Sequence, residues 1–279
     1  MIRFMRRFLI VAFALLLAGP ATGADSEFRF NGIPRVVVFA DVHGGYQELL
    51  SVLRETAVID ESLHWRAGAT HLVSLGDLLD RGPDSRKVLD LLMRLEREAR
   101  DAGGALHLVL GNHEVMNIVG DLRYVSGAEY AAFAGSEDDR LRGEAWQLIV
   151  EREPAASRPE FDAAFPAGYF AKRRAFSAAG EYGAWLLTKP FLLVVNDTAF
   201  VHAGLPEMVA RLGLEMTNTT LWTELNDYLQ AWQKTETDLA LARPVGFLER
   251  PAHVAALGAA EQSTKLLAMQ DAEIFTPKG

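Results

Sequence analysis

Cysteine is absent from all 279 residues, so neither disulfides nor thiolate ligands are available. Any bound metal must then be held by oxygen and imidazole. Positive charge is also in short supply: 28 lysines and arginines face 37 acids, a formal net charge of −9. That balance argues against a surface for a nucleic-acid backbone. It also means that an anionic substrate must be attracted locally, by metal and arginine, rather than by the field of the whole molecule. No apolar run has the length of a comfortable membrane span, and there is no internal repeat or low-complexity tract.

The longest apolar run comes first. Arg3, Arg6 and Arg7 precede the stretch from Phe8 to Leu17, and small residues follow as far as Thr22-Gly23-Ala24. This basic, apolar, small-residue order is that of an export signal occupying residues 1–24. The expectation is a protein cleaved after Ala24 and released to a bacterial periplasm or the outside, with no stable membrane insertion. An uncleaved anchor is the alternative, and Arg6-Arg7 is only a weak twin-arginine pattern. Removing three arginines and no acid would take the net charge from −9 to −12. An exported chain without disulfides relies on its core, which this length permits within one large domain, here residues 33–279.

The pattern that follows is strand, helix, strand, helix, strand. Arg35 to Ala40 is a short β-branched and aromatic run, and Tyr46 to Ile59 then places Leu49, Leu50, Leu53 and Val58 near one helix face. His71 to Leu75 reads as the second strand. A helix follows from Asp84 with the stripe Val88, Leu91, Leu92, Leu95 and Ala99, and Leu106 to Leu110 reads as the third strand. Such alternation implies an α/β fold with parallel pairing and sites at the carboxyl edge of the sheet. Residues 121–190 are charged and alanine-rich, with a helix expected over 138–151, and read as a helical cap or insertion. Phe191 to Val195 and Thr198 to Val201, joined by Asn196-Asp197, form a hairpin, and Leu221 to Gln233 is helical.

Four segments end or follow these strand runs: DVHG (41–44), GDLLDRG (76–82), GNHE (111–114) and VHAG (201–204). They place Asp41, His43, Asp77, Asn112 and His202 at the edge of a sheet, a ligand composition suited to two divalent ions. Asp77 is the natural bridge, next to Gly76, which lets backbone approach closely. Asp41 and His43 reach one ion, Asn112 and His202 the other. Two ions sharing a carboxylate lower the pKa of a bound water from about 16 toward about 7, giving an in-line nucleophile at neutral pH. His113 suits the general acid, with Asp80 accepting its other ring N–H and Arg81 forking onto phosphate oxygens. Glu114 is expected to brace the loop. His64, His71, His107 and His253 read as core-edge or surface residues. Lys172-Arg173-Arg174 reads as a solvated basic face, and Tyr169, Phe170, Phe176, Tyr182 and Trp185 as packing for the insertion.

At these residues the chain resembles the phosphoprotein phosphatase branch of the calcineurin-like metallophosphoesterases, from about residue 35 onward. GNHEVMNIVGDLRYV (111–125) is similar to its bacterial Shewanella-like group. The resemblance implies a β-sandwich flanked by helices and phosphomonoester hydrolysis with manganese, iron or zinc. It gives Asp41, His43 and Asp77 to one metal and Asp77, Asn112 and His202 to the other, with His113, Asp80 and Arg81 as above. The substrate would be a phosphorylated protein or small phosphoester. A nucleotide or dinucleoside-polyphosphate hydrolase with the same centre is the sister alternative.

One part of the family pattern has no counterpart here. After the VHAG-like segment the family adds a Trp-Tyr-Arg-Gly-like and then a Gly-His-Thr-like stretch, whose arginine and histidine assist phosphate binding and complete the second metal. This sequence ends at Ile274 to Gly279, and its only later histidine is His253, in neither context. The expectation is a C-terminally truncated chain with a weaker second metal site. A metal-binding, weakly active or inactive pseudoenzyme is then a third reading.

Overall fold

The computed structural model describes residues 27–152 and 154–239. The expected export signal, His253 and the stretch 274–279 lie outside them. The elements in order are β1 (Arg29–Phe30), β2 (Val36–Phe39), α1 (Tyr46–Glu55), β3 (His71–Ser74), α2 (Ser85–Asp101), β4 (Ala105–Leu108) and α3 (Asn112–Val119). Then come α4 (Gly127–Ala134), α5 (Asp139–Arg152), α6 (Arg158–Ala164), α7 (Tyr169–Ala175), α8 (Glu181–Leu186), β5 (Leu192–Val195), β6 (Thr198–Val201), α9 (Glu207–Leu212) and α10 (Leu214–Leu239).

The strands form two three-stranded sheets among the described residues. In one, β2, β3 and β4 run parallel in sequence order, with Val38 opposite Val73 and Val73 opposite His107. In the other, β1 lies parallel to β5, and β5 pairs antiparallel with β6. Strand periodicity sorts the side chains. Leu72 packs with Val37, Phe39, Leu106 and Leu108 against the apolar faces of α1 and α2. Its neighbour Val73 turns the other way, joining Val109, Phe28 and Leu192 to Val195 between the sheets. This is the expected sandwich with helices on its outer face.

The helices follow from their stripes. Leu49, Leu50 and Leu53 of α1 and Val88, Leu91, Leu92, Leu95 and Ala99 of α2 are all buried. Helix α1 ends earlier than its pattern suggests, since Ala57 adopts φ +50° and turns Val58 and Ile59 back under the helix. The short elements β1, α3, α4 and α6 to α9 carry too few residues for a legible period. Two of them are marked instead by capping boxes, Ser126 with Glu129 at α4 and Ser157 with Glu160 at α6.

The aromatics of residues 169–185 serve packing, as expected. Phe176 and Tyr182 are buried, the Tyr182 hydroxyl donates to Asp90 at 2.6 Å, and the Trp185 indole donates to Glu96 at 2.7 Å, tying α8 to α2. The KRR run departs from expectation. Lys172 is 1 % exposed rather than solvated, because α7 packs this position against Phe133 and Phe176.

Candidate metal centre

The loops that follow β2 and β3 are joined by backbone hydrogen bonds before any side chain is considered. The amides of Asp41, His43 and Gly44 donate to the carbonyls of Gly76, Asp77 and Leu78, at 3.2, 2.9 and 2.8 Å. This ladder continues the sheet in conformations that strands avoid. Asp41, His43, Asp77, Asp80 and Arg81 all have φ between +44° and +69°, and only Ala57, Leu63 and Asn196 join them among the described non-glycine residues. Left-handed backbone at such residues costs energy and is retained where surrounding structure demands it. Here it turns five polar side chains out of an extended path toward one point. Gly76, at φ +91°, admits the GNHE turn, since a Cβ there would lie 2.5 Å from the Gly111 nitrogen.

Glu114 holds the loops in place. Its carboxylate is fully buried and accepts from the amides of Asp77, Leu78 and Gly111 at 2.8, 2.8 and 2.9 Å. Burial, and then the charge of Asp77, push its pKa up to about 7 despite those three donors. It braces and does not point into the centre. Gly111 caps α3, whose first two residues are Asn112 and His113.

Asp77 lies at the focus. Donor atoms of Asp41, Asp77 and His202 lie within 4.8 Å of one another, as do those of His43, Asp77 and His113. Asp77 is common to both groups, as the bridging role given to it requires. The histidine tautomers test whether cations fit. His43 Nδ1 sits 2.9 Å from the Leu79 carbonyl and His202 Nδ1 2.7 Å from that of Leu75, so in each neutral ring Nδ1 carries the hydrogen. The bare Nε2 atoms then face further acceptors. His43 Nε2 is 3.7 Å from Asp77 Oδ2; His202 Nε2 is 3.4 Å from Asp77 Oδ1 and 3.1 Å from Asn112 Oδ1. Lone pairs gathered in this way repel one another unless a cation lies among them. Oxygen and imidazole donors oriented by backbone carbonyls are the set that divalent metals take. The residues fit the ions.

Beside them is a buried dyad. His113 Nδ1 lies 2.7 Å from Asp80 Oδ2, and both side chains are fully buried. Burial pulls the His113 pKa down. The Asp80 hydrogen bond and the charges of Asp77 and Asp80 outweigh that pull, so its affinity for a proton is raised overall. The exposed Arg81 donates to His113 Nε2 at 3.2 Å, so guanidinium and proton compete for one ring position. Tyr124 lies nearby with its ring tilted to that of His113, the centroids 5.2 Å apart, and 5.9 Å from the Arg81 guanidinium.

All eight residues singled out in the sequence therefore border one small region. The structure adds Asn117, whose Nδ2 donates to both Asp80 oxygens at 3.0 Å, and Glu129, which accepts from the Asp80 amide at 3.3 Å. Asn117 lies one turn beyond His113, and a helix starting at Asn112 would have shown it. Glu129 carries only the signal of its capping box.

The comparisons with known proteins agree with this geometry. The family model for calcineurin-like phosphoesterases matches residues 34–254. Shewanella-like protein phosphatase 2 of Arabidopsis thaliana is 33% identical over 212 residues, covering 72% of this chain and 54% of that protein. Shewanella-like protein phosphatase 1 of Plasmodium berghei is 26% identical over 192 residues, covering 69% of this chain and 44% of that protein. The chain thus spans about half the length of the curated relatives it matches. Among solved structures, the cold-active protein-tyrosine phosphatase of a psychrophilic Shewanella species superposes with a TM-score of 0.54 at 28% identity, over 77% of this chain and 55% of that one. With its family model matched across most of its length and its donors gathered on one carboxylate, this chain belongs to the calcineurin-like phosphoesterases.

Proposed function

We propose that the protein is a metal-dependent phosphatase that hydrolyses phosphomonoesters of proteins or small molecules. The observation that carries this reading is Asp77, whose carboxylate lies within 4.8 Å of donor atoms of Asp41 and His202 and 3.7 Å from His43 Nε2, and is flanked by the His113–Asp80 dyad and Arg81. Two divalent cations (manganese, iron or zinc) held by Asp41, His43, Asp77, Asn112 and His202 supply an activated water at neutral pH when bound. The chain's own residues do the rest. Arg81, exposed beside the dyad, leaves His113 Nε2 and pairs through its fork with two phosphate oxygens. The position it vacates takes the proton that His113 passes to the departing oxygen. Asp80 keeps the Nδ1 hydrogen and the ring's orientation throughout.

The protein phosphatases among the relatives support a phosphorylated protein as substrate. Export to a periplasm or the medium belongs to the same proposal, supported by the order of residue types in 1–24. The test is turnover of an aryl phosphate, phosphotyrosine and phosphoserine peptides and a dinucleoside polyphosphate by purified protein with added manganese, alongside elemental analysis. Two ions per chain with monoester hydrolysis is the expected result. Cleavage of the polyphosphate alone, or no metal under any loading condition, would overturn it.

A further inference from the structure

The side chain of Lys172 poses a problem that packing does not solve. Its ammonium sits 4.2 Å from the centroid of the Phe176 ring and 6.0 Å from that of Phe133, in a position 1 % exposed where leucine or methionine would fill the space. Burying an ammonium costs several kcal/mol unless other groups compensate. Desolvation brings its pKa down to about 8, with Glu129 and Asp80 pulling the other way.

The compensation runs toward the centre. Lys172 Nζ donates to Asn117 Oδ1 at 2.7 Å. A lysine ammonium offers donors only, so it fixes which end of the carboxamide faces it. The other end, Nδ2, then lies 3.0 Å from both Asp80 oxygens, and Asp80 Oδ2 accepts from His113 Nδ1 at 2.7 Å. Every side chain in this line is buried. Hydrogen bonds linked in series in a dry interior polarise one another. A cation on α7 is thereby wired to the imidazole through one amide and one carboxylate.

We propose that Lys172 is a positioning residue for His113, locking the Asn117 carboxamide so that it holds Asp80 as a correctly aimed acceptor for the His113 ring. The inference rests on the reading of His113 as the acid of a phosphatase. It gives the helices between α3 and β5 a part in the chemistry, since α4 contributes Glu129 and α7 contributes Lys172. A lysine that merely plugged an apolar gap would influence stability without selecting among substrates.

The test uses full-length, metal-loaded protein carrying Lys172→Met, Asn117→Ala or both. Proton donation matters most when the leaving group is a poor one. Each single variant is expected to lower kcat on a phosphoserine peptide about tenfold more than kcat on p-nitrophenyl phosphate, with KM and metal content held. The double variant should lose no more than either single one, since both interrupt one line. Equal losses on both esters, loss of metal, or additive effects would overturn the proposal. A second readout needs no turnover. In zinc-loaded protein with ¹⁵N-labelled histidine, the downfield Nδ1–H resonance of His113, identified by its disappearance in His113→Asn, should move upfield in Lys172→Met. An unmoved resonance refutes the link. Should the wild type hydrolyse no monoester, the phosphatase reading fails and the resonance still decides the role of Lys172.

Discussion

Asp77 and Glu114 show how differently two buried carboxylates can be employed a few ångströms apart. Asp77 Oδ1 accepts one amide, that of His113 at 3.1 Å; beyond that bond, Oδ1 faces His202 Nε2 and Oδ2 faces His43 Nε2. Glu114 spends its oxygens on three amides of the loops. Replacing Asp77 with asparagine removes the negative charge that both donor groups share, and the expected result is loss of turnover together with loss of both ions, read by assay and elemental analysis. Replacing Glu114 with alanine should act through the backbone instead. Three buried N–H groups would be left unpaired at about 1–3 kcal/mol each, so the urea midpoint should fall steeply whether or not metal is present. A Glu114→Ala protein of unchanged stability would mean that the loops hold their left-handed turns without it. That the eight candidate residues come together was legible in sequence because each follows a strand run in a short glycine-marked segment. Lys172 was not, because a lysine beside two arginines carries no mark of the helix face on which it will lie.

At the scale of elements, the boundaries that failed were those that backbone geometry decides without help from hydrophobic period. The three parallel strands and the 192–201 hairpin came within a residue or two of their expected ends, since short apolar, β-branched runs and Asn196-Asp197 specify them. The start of α3 at Asn112 was hidden: its cap is a glycine, and the eight residues are almost all buried, leaving no polar face to reveal a period. The parallel pair β3 and β4 also carries an acid-sensitive contact far from the loops. His107 Nε2 lies 2.9 Å from His71 Nδ1, with Phe30 against both rings. Burial first, then the charges of His71 and Lys189, lower the His107 pKa from 6.5 to about 4. Burial lowers that of His71 as well. In the unfolded chain both rings regain an ordinary proton affinity, so the unfolded state binds more protons between pH about 6.5 and about 4. The stability present above that window is therefore lost as pH falls through it. In His107→Gln, which stays neutral, the urea midpoint should drop less between pH 7 and pH 4.5 than in the wild type. Parallel declines would show that the pair contributes nothing to acid sensitivity.

For the whole molecule, the distribution of ligands over the chain matters more than any one of them. Asp41 follows β2, Asp77 follows β3, Asn112 opens α3 after β4, and His202 follows β6 in the other sheet. Cations bound among them would connect both sheets of the sandwich, at a site that exists only in the folded state, since unfolding scatters donors 161 positions apart, from Asp41 to His202. Ligands of this kind stabilise by mass action, by about 2.7 kcal/mol at a hundredfold excess over Kd. For a domain of this size each kcal/mol moves Tm by about 2–4 °C. Chelator-treated protein should therefore melt roughly 5–10 °C below protein resupplied with manganese or zinc, the difference growing with metal concentration. Asp77→Asn should melt at one temperature regardless, because its two donor groups have lost their common charge. His113→Asn provides the opposite control: under the proposed role, in which His113 passes a proton and holds no ion, it should keep the metal-dependent shift while slowing esters with poor leaving groups most. A wild-type Tm indifferent to chelator, or a shift that survives Asp77→Asn in full, would show that the sandwich is held without the ions and that the lone pairs facing Asp77 are relieved in some other way.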